Sequence, residues 1–131
     1  MQEVRIIVAG GRDFQNSKLL FKTLKNVLSK LFEMNYKSEQ IIFVSGTAKG
    51  ADSLGEFFAN TYKYKVKRFP ADWDRLGKRA GYVRNEQMAK YASENGHKGI
   101  LIAFWDGQSR GTKHMIDLAN KYGLEVCVVS Y

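Results

Sequence analysis

Strand-like and helical runs alternate along this chain from end to end, and that alternation restricts the fold more than any single motif. Val4-Arg5-Ile6-Ile7-Val8 is a β-rich run ended by Gly10-Gly11, after which Leu20, Leu24, Val27, Leu28 and Leu31 recur at helical spacing. Ser17 or Asn16 stands where such a helix needs a cap. The apolar run Ile41-Ile42-Phe43-Val44 comes next, then a glycine-containing turn, then Ala51, Leu54 and Phe58 on one face of a helix reaching about residue 62. A third strand over 64–69 stops at Pro70, the only proline, and its alternating Lys65 and Lys67 suit an edge strand guarded by charge. A loop over 71–76 leads into a helix over about 78–93. The run Ile100-Leu101-Ile102-Ala103-Phe104, a loop, and a helix burying Met115, Ile116, Ala119 and Tyr122 follow, with Gly123 ending that helix and 124–129 forming the last strand.

Five strands and four helices in strict alternation, joined by short connections, predict an α/β fold: a parallel sheet covered by helices on both faces, which is Rossmann-like. With the third strand at an edge and right-handed crossovers that reverse once, the expected strand order is 3-2-1-4-5. The 131 residues, 44% of them hydrophobic, suit one domain over 1–131 with a substantial core. The last strand is apolar at nearly every position and forms the other edge, so a homodimer or higher homo-oligomer is expected.

Composition narrows the function classes. No apolar run approaches the ~20 residues of a membrane span, and Met1-Gln2-Glu3 leads directly into a strand, so no membrane association and a cytoplasmic location are expected. The single cysteine, Cys127, lies in an apolar run and reads as a core thiol. His97 and His114 have no histidine or cysteine at ligand spacing, so no structural metal is expected, and no cofactor is specified. A formal charge of +8 favours anionic partners, although the lysines and arginines are spread widely enough for many to be solvated faces.

In a sheet of this order ligands bind at the carboxyl ends of the strands beside the reversal point, and the unusual residues collect there. They are Gly10-Gly11-Arg12-Asp13-Phe14 after the first strand, Ser45-Gly46-Thr47-Ala48-Lys49-Gly50-Ala51-Asp52 after the second, Asp72-Trp73 after the third, and Trp105-Asp106-Gly107 after the fourth. Backbone N–H groups in the turns around Gly46, Lys49 and Gly50, and around Gly107 and Gly111, are suited to phosphate oxygens, with Ser45, Ser109 and Thr112 adding hydroxyls or simply capping helices. Lys78, Arg84 and Asn85 lie on the helix that starts beside Asp72-Trp73, where a bidentate guanidinium contact to phosphate or carboxylate is feasible, with an ordinary exposed arginine the competing reading. Trp73, Trp105 and Phe14 are placed to stack on a base, with core packing the alternative for Trp105. Asp52 suits either a ribose hydroxyl or its own helix dipole, and Asp13 and Asp106 are the better candidates for ribose contact or acid–base work. His114, on a helix, reads as surface or packing.

The segments Val8 to Phe14, Ser45 to Asp52, Pro70 to Trp73 with Gly77 to Asn85, and Ala103 to Thr112 together resemble the YspA-type, YpsA-related branch of the SLOG superfamily over nearly the whole chain. The resemblance implies a Rossmann-like domain that binds a nucleotide or nucleotide-derived ligand, related to the LOG phosphoribohydrolases and the DprA DNA-binding proteins. Two positions depart from the pattern: Thr47 stands where relatives often carry a second glycine, and Tyr82 where they often carry proline.

Three functions follow as expectations. The first is a binding or sensor module for a nucleotide-like small molecule, which needs only the phosphate turns, the arginine and a stacking ring. The second is an N-glycosidic hydrolase of nucleoside monophosphates. Against it, the Gly-Thr-x-x-Glu signature of the LOG enzymes reads here as Gly111-Thr112-Lys113-His114-Met115, so the carboxylate is missing and Asp13 or Asp106 would have to replace it. The third, with nucleic acid as the partner, is single-strand binding, which would weaken steeply with salt.

Overall fold

The computed structural model describes residues 1–131. Five strands, β1 (Val4–Gly10), β2 (Ile41–Ser45), β3 (Lys65–Arg68), β4 (Lys98–Trp105) and β5 (Glu125–Ser130), form one parallel sheet in the order β3-β2-β1-β4-β5, as the alternation predicts. Helices α1 (Ser17–Glu33), α2 (Ala51–Thr61), α3 (Trp73–Leu76), α4 (Ala80–Ser93) and α5 (Arg110–Lys121) connect them. Winding reverses between β1 and β4, so the loops leaving β1 and β4 diverge there and open a crevice at the carboxyl edge.

The two-residue period of β1 divides the core. Val4, Ile6 and Val8 point to one face and meet Leu20, Leu24, Leu28 and Leu31 of α1 and Phe58 of α2, while Ile7 and Ala9 point to the other and meet Met88, Ala89 and Ala92 of α4 and Met115, Leu118 and Ala119 of α5. β1, buried on both faces, therefore reads as a continuous apolar run broken only by Arg5. Arg5 is almost fully buried with its charge compensated: it donates to Glu3, Glu94 and the Tyr91 carbonyl, and its guanidinium lies 3.8 Å from the Tyr91 ring centroid. At the edge, Lys65, Lys67 and Arg68 of β3 are exposed.

Several local expectations change. Residues 73–76 form a short helix rather than a loop, because Asp72 caps it by accepting the Arg75 N–H at 3.2 Å, and Gly77 (φ 60°) ends it in the left-handed region. The next helix accordingly begins at Ala80, after a single 3-10 turn over Gly77–Arg79, instead of near residue 78. There are thus five α-helices, not four. Of the two capping choices for α1 the fold uses Asn16, whose side chain accepts the Leu19 N–H at 3.0 Å. Leu54, Ile116 and Tyr122 are only half-buried, and so is Cys127, because β5 is an edge strand whose outer side no element covers.

Candidate functional site

The crevice at the reversal point is a cleft of about 520 Å³, within the size range of small-ligand sites. The β1–α1 loop supplies Gly10, Gly11, Arg12 and Asp13 to its wall, α2 supplies Asp52, α3 and the turn after it supply Trp73 and Lys78, α4 supplies Arg84 and Asn85, and the β4–α5 segment supplies Asp106, Ser109, Gly111 and Thr112. These sequence candidates come from four stretches far apart in the chain, 10–13, 52, 73–85 and 106–112.

The glycines explain how the loops fit together. A Cβ on Gly50 (φ 79°) would fall on the Gly11 carbonyl oxygen, and that same carbonyl accepts the Ala51 N–H at 3.3 Å, so the start of α2 is seated on the β1 loop. A Cβ on Gly46 would lie 2.8 Å from both Arg84 Nη1 and Asp52 Oδ2. The missing side chain leaves space for these two groups. Arg84 Nη1 donates to the Gly46 carbonyl and Nε donates to Asn85 Oδ1 at 3.0 Å, while Nη2 has no acceptor in the protein. Asn85, buried, turns its amide toward the Gly111 carbonyl (3.3 Å) and His114 Nδ1 (3.1 Å), tying α4 to the start of α5. An amide donor on Nδ1 puts the imidazole proton on Nε2, and burial lowers the His114 pKa, so the ring is held neutral.

The cleft carboxylates differ in environment. Asp52 is buried, its Oδ2 accepts the Ala48 N–H at 3.2 Å, and burial pushes its pKa up to about 6 against the pull of that N–H and of Arg84 and Arg12. Asp106 is exposed; its Oδ1 accepts the Gln108 and Ser109 N–H groups, both at 2.8 Å, which lowers its pKa and shapes the loop before α5. Asp13 Oδ1 accepts the Tyr131 hydroxyl at 2.8 Å, and Tyr131, partly buried beside this carboxylate, is pushed up to about 12. Arg12, Lys78 and Arg84 form no salt bridge with any carboxylate. On the rim, the Arg12 guanidinium sits 5.6 Å from the centroid of the half-exposed Trp73 ring.

Eight candidates do not line the cleft. Ser45 is buried and its hydroxyl donates to Glu56 (2.6 Å), which also pairs with Arg68 (2.6 Å). Gly46, Gly50 and Gly107 shape turns, Lys49 is exposed outside the cleft wall, and Asp72 caps α3 while pairing with Arg75 at 3.0 Å. The Trp105 indole N–H donates to the Ser109 carbonyl at 3.1 Å, bracing the loop. Phe14 is fully buried against Phe104, so it packs rather than stacks on a ligand. Conversely, Ala48, Gly81, Tyr82, Met88 and Met115 belong to the cleft lining. The spacing of Gly81, Asn85 and Met88 marks a single face of α4 and could have revealed two of these.

A family model described as "YspA, cpYpsA-related SLOG family" matches residues 4–76, from β1 through α3. The chain is 26% identical over 127 residues to the gene 61 protein of Mycobacterium phage D29, covering 93% of each. Its fold superposes on DNA processing protein A (DprA) of Streptococcus pneumoniae with a TM-score of 0.68 and 18% identity. That alignment takes in 99% of this chain and 51% of DprA, so the chain spans about half the length of that protein. No helix is long and apolar enough to cross a membrane.

Proposed function

The chain belongs to the YspA, cpYpsA-related SLOG family, and from that premise and the chemistry of the cleft we propose that it binds a nucleotide or nucleotide-derived small molecule at the carboxyl edge of its sheet. The observation that carries this reading is that Arg12, from the β1–α1 loop, and Lys78 and Arg84, from the stretch entering α4, face one cleft without a salt-bridge partner. Cations without a salt-bridge partner, in a cleft that also holds the first turn of α5, favour a phosphate, and the Arg12–Trp73 pair on the rim offers a surface for a base. The cleft also carries carboxylates, which suits a ligand with hydroxyl donors in addition to its charge.

Hydrolysis draws less support. Met115, buried beneath the cleft, occupies the position of the missing glutamate, and Asp13 and Asp106 each already hold neighbouring groups through one oxygen. Nucleic-acid binding keeps one supporting feature, the +8 charge, and differs from mononucleotide binding in its steep salt dependence.

Titration calorimetry with nucleoside mono- and diphosphates and ADP-ribose tests the reading. Arg12→Ala removes an exposed, unpaired cation, so affinity should fall roughly tenfold or more with the melting temperature unchanged. Arg84→Ala should weaken binding roughly ten- to hundredfold, and Arg84→Lys should recover only part because the planar fork is lost. Unchanged affinity in both alanine variants refutes the assignment.

A further inference from the structure

Of the acidic side chains in the cleft, Asp52 alone is buried. Its Oδ2 is occupied by the Ala48 N–H, and no protein donor reaches Oδ1. The fold leaves no buried side-chain oxygen or nitrogen without a partner, so Oδ1 keeps access to the cleft and to whatever fills it. When a ligand displaces solvent there, this oxygen needs a donor, because an unpaired buried carboxylate is strongly unfavourable.

A phosphate cannot meet that need. It brings negative charge and acceptor oxygens against a carboxylate that already sits in the first turn of α2 and opposes any second anion at that helix start. The start of α5 is different: its own capping groups are Ser109 and Asp106, Gly111 lines the cleft, and the Gly111 N–H makes no hydrogen bond within the protein. The two helix starts facing the cleft are therefore chemically unequal, one suited to an anion and the other to a hydrogen-bond donor. A ribonucleotide offers both, with a hydroxyl pair on the sugar between its phosphate and its base.

Building on the nucleotide reading above, we propose that Asp52 reads the sugar: its free Oδ1 accepts a hydrogen bond from a ribose hydroxyl. This places the sugar at the start of α2 and the phosphate at the start of α5, and it makes the cleft selective for ribonucleotides over deoxyribonucleotides. Arg84 reinforces the arrangement. Its Nη2 is free, and both Arg84 and Arg12 act electrostatically on Asp52, so they hold the carboxylate ready to accept.

The test titrates AMP, GMP, CMP and UMP, and then the 2′-deoxy and 3′-deoxy counterparts of the tightest binder, against the wild type and Asp52→Ala. In the wild type at least one deoxy analogue should bind roughly ten- to hundredfold more weakly than the ribonucleotide. In Asp52→Ala no side-chain polar atom remains to meet a sugar hydroxyl, which can accept as well as donate, so the ribo- and deoxyribonucleotides should bind within about twofold of one another. Melting curves for the variant verify that it folds. Equal affinity for all three sugars in the wild type overturns the inference and leaves the nucleotide reading standing. Discrimination that survives in Asp52→Ala overturns the assignment to this residue. Binding of none of the four ribonucleotides overturns the nucleotide reading and the inference with it.

Discussion

Replacing Asp52 with asparagine should stabilise the protein at neutral pH and leave it unchanged in acid. Burial holds the Asp52 pKa at about 6 in the folded chain against an ordinary 3.8. Below pH ~3 the carboxyl is protonated in both states and contributes nothing to the balance. As pH rises from there to 6, the unfolded chain gives up the proton while the folded chain keeps it, so the folded state loses stability through that window and the loss is complete above it. The gap corresponds to about 3 kcal/mol at pH 7.5. The groups acting on the carboxylate are the Ala48 N–H, Arg84 and Arg12, which favour the charge, and Glu56, which opposes it, and all are contained in that balance. Asparagine keeps the shape and the acceptor for Ala48 but carries no charge, so it should raise the melting temperature by roughly 5–10 °C at pH 7.5. Calorimetric scans of both proteins from pH 4 to 8 read the difference directly. It should shrink to a small fraction of its pH 7.5 value as pH falls to 4. A difference that is flat across this range, or a variant less stable than the wild type at pH 7.5, would refute the claim that the cleft holds a desolvated carboxylate.

Three further outcomes are expected. Thr47 is exposed and sits at φ 64°, a conformation that strains a β-branched residue, so Thr47→Gly should gain about 1 kcal/mol by thermal denaturation, and a lower melting temperature would count against it. Gly50→Ala adds a Cβ onto the Gly11 carbonyl at a left-handed φ, so it should cost roughly 3 kcal/mol, and near-neutral behaviour would mean that α2 is not seated on the β1 loop. The outer side of β5 is unpaired and Val128 is exposed, so the 131-residue chain should self-associate by light scattering and Val128→Lys should favour the monomer; a monomeric wild type at high concentration refutes this.

The strand order and the two-faced core follow from short-range pattern. Alternating runs such as Val4–Gly10 and the 3.6-residue spacing of Leu20, Leu24, Leu28 and Leu31 encode which face each element buries, and right-handed crossovers then leave few topologies. The lysines of β3 mark its edge for the same local reason. Arg12, Trp73 and Arg84 were also legible as cleft residues, because strand ends are where such a sheet binds ligands. What each polar group does with its hydrogen bonds was not legible, since the partners lie far away in the chain. Ser45 is drawn to Glu56, and Arg84 to the Gly46 carbonyl 38 residues upstream. Burial, too, belongs to the assembled fold: Asp52 and Asp106 have the same side chain in similar turns. Packing alone buries one beside the Arg84 side chain with its pKa raised and leaves the other in solvent with its pKa lowered, because desolvation depends on everything that surrounds a charge and not on its neighbours in sequence.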